Sequence, residues 1–153
     1  MQTNKSQRNV KIISEIHPQF LGSTNEIKRV ILQSKIGGSD YVKVQLYNSK
    51  KLFNNQDREY LEISKNELKD IKKFSEDHGI ELTASIFDEE RLDWCEDLNF
   101  SLYKIASRTL NEDKKLCEKI ISTNKETIIS LGMYDISKGA PYLEKNIKYL
   151  YCV

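Results

Sequence analysis

The stretch YVKVQLY, residues 41–47, alternates apolar and polar side chains and is rich in β-branched and aromatic residues. It reads as a strand with Val42, Val44 and Leu46 on one face and Lys43 and Gln45 on the other. Lys43 therefore sits in the middle of a segment that looks buried. A second stretch, LYKIAS at residues 102–107, repeats the arrangement with Lys104. A strand covered on both faces has no use for a cation at that position, so the face carrying these lysines needs another explanation.

Working outward, strand and helix signals alternate along the chain. Residues 10–16, VKIISEI, read as a first strand. Ser23 to Glu26 has the S-x-x-E form of a capping box, and Ile27, Val30, Ile31 and Ser34 follow at helical spacing. Gly37-Gly38 ends that helix. Ser64 to Glu67 opens a second helix with the same box, with Leu68, Ile71 and Phe74 as its stripe. Residues 80–87, 101–106, 126–131 and 147–152 read as further strands. A short helix is expected over residues 88–98, and Asn111 is expected to cap a helix through about residue 123. Residues 48–63 form the longest unclear connection, and residues 134–145 read as loop or weak helix.

This alternation indicates βαβ units and a parallel sheet with right-handed crossovers. An open doubly wound sheet and part of an eight-stranded barrel both fit it. The first strand-to-helix turn, HPQFLGS, lacks the G-x-G-x-x-G phosphate fingerprint, which weakens the dinucleotide-binding alternative.

The totals bound the classes. The 153 residues suffice for one domain, and 39% hydrophobic with 31% charged residues is ordinary for a globular protein. Net charge is +1, from 24 Lys+Arg against 23 Asp+Glu, so no broad basic field favours nucleic acid. No apolar run approaches the ~20 residues of a membrane span, and the polar start MQTNKSQRN lacks a secretory signal. Cys95, Cys117 and Cys152 have no metal-ligand spacing and read as reduced core residues of a cytoplasmic protein.

Strand parity extends the lysine pattern. Glu15, Gln45, Ser85, Lys104 and Ser130 each fall late in a strand, and Lys43 shares the face of Gln45. A flat sheet under helices has little use for this. A barrel does, because one face of each strand points to the axis and active sites lie at the carboxyl mouth. Two inward lysines repel and lose hydration unless an anion joins them, so a phosphate or carboxylate with serine hydroxyls around it would satisfy both. The purely structural alternative pairs Lys43 with Glu15 and sends Lys104 to solvent.

The ordered motifs SEI (14–16), VKVQ (42–45), SIFDEE (85–90), YKIAS (103–107), SLGM (130–133) and LYC (150–152) resemble the sialic acid synthase family. Its members read AEI, VKFQ, STPFD, YKIAS, STGM and LHC at successive strands. The resemblance covers nearly the whole chain and implies a partial (β/α)8 TIM barrel with about six parallel strands, one domain over residues 1–153, lacking the last two strands. It implies condensation of phosphoenolpyruvate with an N-acetylmannosamine-type amino sugar to a nine-carbon 2-keto acid, with phosphate release. It further implies that Lys43, Ser85, Lys104, Ser107 and Ser130 hold phosphoenolpyruvate, that Gln45 contacts the sugar and that Glu15 transfers a proton. A divalent metal, Mn or Mg, is implied for the full-length family, whose two metal-binding histidines come from the last two strands.

The chain departs from the family at named positions. HPQFLG replaces G-x-N-H-x-G, Thr109 stands where an acidic residue is usual, Tyr151 replaces the histidine of LHC, and Leu131 replaces a threonine. His17 is assigned a structural role and His78 a helix-end cap, so no metal ligands are expected. Alone, the chain is expected to be inactive or nearly so. The alternative is a non-catalytic interaction module derived from the barrel, whose two unpaired edge strands invite another chain or a second copy. A third reading is an enzyme of another barrel family that shares only the anion site.

Overall fold

The computed structural model describes residues 10–152. Six parallel strands form one sheet in sequential order: β1 (Ile13–Glu15), β2 (Tyr41–Leu46), β3 (Glu81–Ile86), β4 (Leu102–Ile105), β5 (Glu126–Ser130) and β6 (Ile147–Leu150). Among the described residues β1 and β6 are the free edges. Helices α1 (Thr24–Ile36), α2 (Ser49–Phe53), α3 (Lys65–Asp77), α4 (Glu89–Asp97), α5 (Ser107–Glu112) and α6 (Lys114–Ser122) occupy the crossovers.

One face of the sheet is dry. Val42, Val44, Leu46, Ala84, Ile86, Tyr103, Ile105 and Ile129 are all wholly buried against the helices. The helices answer with the stripes that their spacing announces: Ile27 and Ile31 from α1, Leu68 and Ile71 from α3, and Leu116, Cys117, Ile120 and Ile121 from α6. Each such aliphatic side chain contributes roughly 1.5–3 kcal/mol on burial, so this layer holds the fold together.

The opposite face is concave. Tyr41 on β2 feels the carboxylates of Glu81 and of Glu126 on β5, and these add to burial in raising its pKa. The six strands keep one unbroken sequential order and curl into a half-barrel of α/β architecture.

Local signals fix the ends. In α3 the Ser64 hydroxyl accepts from Glu67 N while the Glu67 carboxylate accepts from Ser64 N at 2.8 Å, a reciprocal capping box. At the end of α1 it is Gly38, with φ +85°, that takes the left-handed conformation. Three expectations need correction. The first strand is shorter than residues 10–16, because Lys11 and the amide of Ile12 bond Asp40 instead of a ladder. Residues 48–63 hold α2 and a 3₁₀ turn, Glu59–Leu61. The helix expected to start at Asn111 is two helices. Ser107 opens α5, and Asp113 breaks the run by accepting from Leu116 N at 3.0 Å to cap α6.

Candidate functional site

The register places the sequence-selected residues on the concave face. Parallel partners share a face, and Glu15 pairs with Lys43, Gln45 with Ser85, and Ser85 with Lys104. Glu15, Gln45, Ser85 and Lys104 lie toward the carboxyl ends of their strands, the mouth of the half-barrel, and Lys43 stands mid-strand just below them.

Lys43 forms an ion pair with Glu15 and donates to Ser85 Oγ at 3.0 Å. The Glu15 carboxylate also accepts from His17 N at 3.2 Å. Part of the structural alternative is thus present, since Lys43 has an internal counter-charge. Lys104 differs. It is only 9% exposed, so it does not reach out to solvent. Its ammonium donates to Ser130 Oγ at 2.5 Å and to Ile105 O at 3.2 Å, and it has no carboxylate partner among the described residues. Burial, reinforced by the positive charge of Lys43, lowers its pKa to about 8. The two ammonium groups therefore share one electrostatic environment.

The remaining predicted residues divide. Ser85 and Ser130 are buried and bonded to the lysines. Gln45 is half-buried on the same face, next in register to Ser85. Ser107 is the first residue of α5, and its hydroxyl joins no hydrogen bond among the described residues; its carbonyl accepts from Asn111 Nδ2 at 2.6 Å. Cys152 corrects an expectation. Cys95 and Cys117 are buried core thiols, whereas Cys152 is half-exposed with Sγ 3.1 Å from Ser130 Oγ. Gly132 makes room for it, since a Cβ there would stand 3.1 Å from Cys152 Cβ.

His17 is buried with its ring edge against Tyr47, Nε2 lying 3.2 Å from the tyrosine hydroxyl. Burial drives its pKa down to about 4, so the ring is neutral near pH 7. His78 caps α3, its Nδ1 2.7 Å from Phe74 O, at the other end of the sheet. Among the described residues no three His, Cys, Asp or Glu side chains gather to hold a metal ion. The divalent metal implied by the family resemblance thus finds no ligand set in these residues.

Sequence reasoning missed a cavity of about 330 Å³. Its walls come from the segments following β2, β3 and β4, and include Asn48, Lys51, Phe87, Asp88 and Thr109. Neither lysine of the pair lines it. No spacing signal could have revealed it, because its residues are brought together only by the curl of the sheet.

Comparison with known proteins gives concordant results. The NeuB family model matches residues 30–144. The uncharacterized protein MJ1065 of Methanocaldococcus jannaschii is 30% identical over 93% of this chain and 45% of its own length. Human N-acetylneuraminate-9-phosphate synthase is 27% identical over 80% of this chain and 39% of its own. Among solved structures, the N-acetylneuraminic acid synthetase of Leptospira borgpetersenii, in complex with citrate, superposes with a TM-score of 0.78 at 26% identity, covering 86% of this chain and 47% of that one. The chain spans less than half the length of these relatives. With the half-barrel, the polar mouth and the family match over most of its residues in agreement, the chain belongs to the NeuB family.

Proposed function

We propose that this half-barrel carries the phosphoenolpyruvate-binding part of a sialic acid synthase-type site. The observation that carries the reading is Lys104: a buried ammonium with neutral partners only, beside a second lysine. A bare cation held at such a desolvation cost fits a site whose missing partner is a small anion. In this reading the phosphate and carboxylate of phosphoenolpyruvate lie between Lys43 and Lys104, with Ser85, Ser130 and Ser107 donating from the rim. Gln45 faces the acceptor sugar. Glu15, held by Lys43 and the His17 amide, stands where a proton can be moved near the reacting carbons.

The substrate assignment draws on the relatives, two of which are named as synthases of N-acetylneuraminate or its 9-phosphate. The proposed overall reaction joins phosphoenolpyruvate to an N-acetylmannosamine-type sugar, with water attack releasing phosphate. The 153 residues are taken as one domain holding six of eight barrel strands. Turnover then needs two further strands against the free edges β1 and β6, and a divalent metal, Mn or Mg, bound by residues outside this set. The free edges also support a second reading, an interaction module that recruits another chain or a second copy.

Thermal unfolding with added ligand tests the first reading. Phosphoenolpyruvate should raise the melting temperature well beyond an equal concentration of inorganic phosphate. Equal shifts would reduce the site to a general phosphate binder, and no shift with either would favour the interaction module.

A further inference from the structure

We propose that Lys104 is a carbonyl-reactive amine, whose Nζ forms an imine with a short 2-oxo acid. This goes beyond the phosphoenolpyruvate reading: the lysine is the same, but it makes a covalent bond that holding an anion does not require. Two conditions turn a lysine into a nucleophile, removal from water and a neighbouring cation. Lys104 meets both. It is buried, and Lys43 stands on the same face. Ser85 links the two lysines, accepting from Lys43 Nζ at 3.0 Å and pairing in register with Lys104.

The partners of Lys104 leave its nitrogen able to react. The nearest carboxylate on this face, Glu15, is committed to Lys43. Ser130 Oγ and Ile105 O each accept one hydrogen from Lys104 Nζ. A neutral amine has two hydrogens, so it can keep both bonds with its lone pair unspent. Burial and Lys43 together hold the pKa at about 8, so about half of the molecules carry the neutral amine at that pH. Lys73, Lys119 and Lys148 are shifted the other way, each by a hydrogen-bonded carboxylate: Asp77, Glu89 and Glu126. Those ammonium groups stay protonated and unreactive.

A 2-oxo acid fits because its carboxylate and its carbonyl carbon are adjacent. The carboxylate is drawn to the uncompensated ammonium, which brings the carbonyl carbon to the nitrogen. The ammonium gives one proton to solvent. The amine lone pair then forms a C–N bond, and the carbonyl oxygen takes up a nitrogen proton to become the hydroxyl of a carbinolamine. That hydroxyl leaves as water with the second nitrogen proton, and the C=N bond remains. The neutral imine removes the buried charge, and a protonated imine has the carboxylate of its own ligand beside it.

The test treats the 153-residue chain with pyruvate at pH 8, adds borohydride and maps the modified lysines by peptide mass spectrometry. Hydride adds to the imine carbon and leaves a stable carboxyethyl group on the nitrogen. Lys104 should be labelled at least about tenfold faster than the exposed Lys73 and Lys148 of the same chain. That lead should shrink as pH rises from 8 toward 10.5, where the ordinary lysines also lose their protons. Acetone, which lacks the carboxylate, should show no such preference. Lys104→Arg keeps the charge and should lose the preferred label while Lys73 and Lys148 react as before. Labelling of Lys104 no faster than of the exposed lysines overturns the proposal, as does an equal preference with acetone. A normal melting shift with phosphoenolpyruvate but no preferred labelling sinks this inference alone. Preferred labelling that saturating phosphoenolpyruvate fails to slow counts against the phosphoenolpyruvate reading alone.

Discussion

Lys43 and Lys104 share one concave face, two strands apart and two residues out of level, yet the protein treats them differently. Lys43 is mostly buried too, its side chain 12% exposed, but it has a carboxylate, Glu15. Lys104 is buried and has a hydroxyl and a carbonyl. The first is a self-sufficient ion pair of the kind that contributes little by itself. The second destabilises the protein for as long as it stays charged. A fold keeps such a group where something else gives it a use, and in the proposed site the anion then lies nearer Lys104 than Lys43.

The largest expected effect separates stability from binding. Lys104→Met should remove the buried charge and raise the unfolding free energy by about 1–3 kcal/mol at pH 7, while abolishing the melting shift with phosphoenolpyruvate. Denaturant titration with and without ligand measures both. A variant that is destabilised yet still responds to ligand would break the contrast between the two lysines.

The pH dependence follows in size. Lys104 has a pKa of about 8 in the folded protein against an ordinary 10.5, so between those values the unfolded chain binds more protons. The Lys104 penalty is therefore complete below pH 8 and is relieved as pH rises toward 10.5. An anion favours the charged form, so its affinity should fall by up to about tenfold per unit above pH 8. Calorimetry in buffers of different ionisation enthalpy should show proton uptake on binding at pH 9. Binding there without uptake would mean that Lys104 is not the group being charged.

The smallest effect concerns the self-sufficient pair. Glu15→Gln frees Lys43 from its internal anion, so phosphoenolpyruvate and inorganic phosphate should both bind a few-fold more tightly, with stability changed by less than about 1 kcal/mol. Unchanged or weaker binding would show that Lys43 does not share the ligand.

How much of this was legible in the sequence depended on whether the signal was local. The parity of YVKVQLY was enough to put Lys43 and Gln45 on one face, because a strand has a rigid period of two. The Ser64–Glu67 capping box was legible for the same reason, all of its atoms lying within one turn. The break between α5 and α6 was not. Asn111 and Asp113 are both competent caps, and Ser107 starts an earlier helix two residues after β4 ends. Cys152 lies beyond β6, where strand parity no longer applies; only the gap left by Gly132 brings its sulfur to Ser130. The cavity walls stand as far apart in sequence as Asn48 and Asp113, and nothing short of the folded sheet joins them.

The most direct test is a ¹³C NMR titration of lysine side chains in the 153-residue chain, with Lys104 assigned by its methionine variant. The account predicts that Lys104 titrates near 8 in the free protein and moves up by at least about one unit with phosphoenolpyruvate bound. A Lys104 resonance that titrates at the ordinary value, or one that ignores the ligand at saturation, would contradict it.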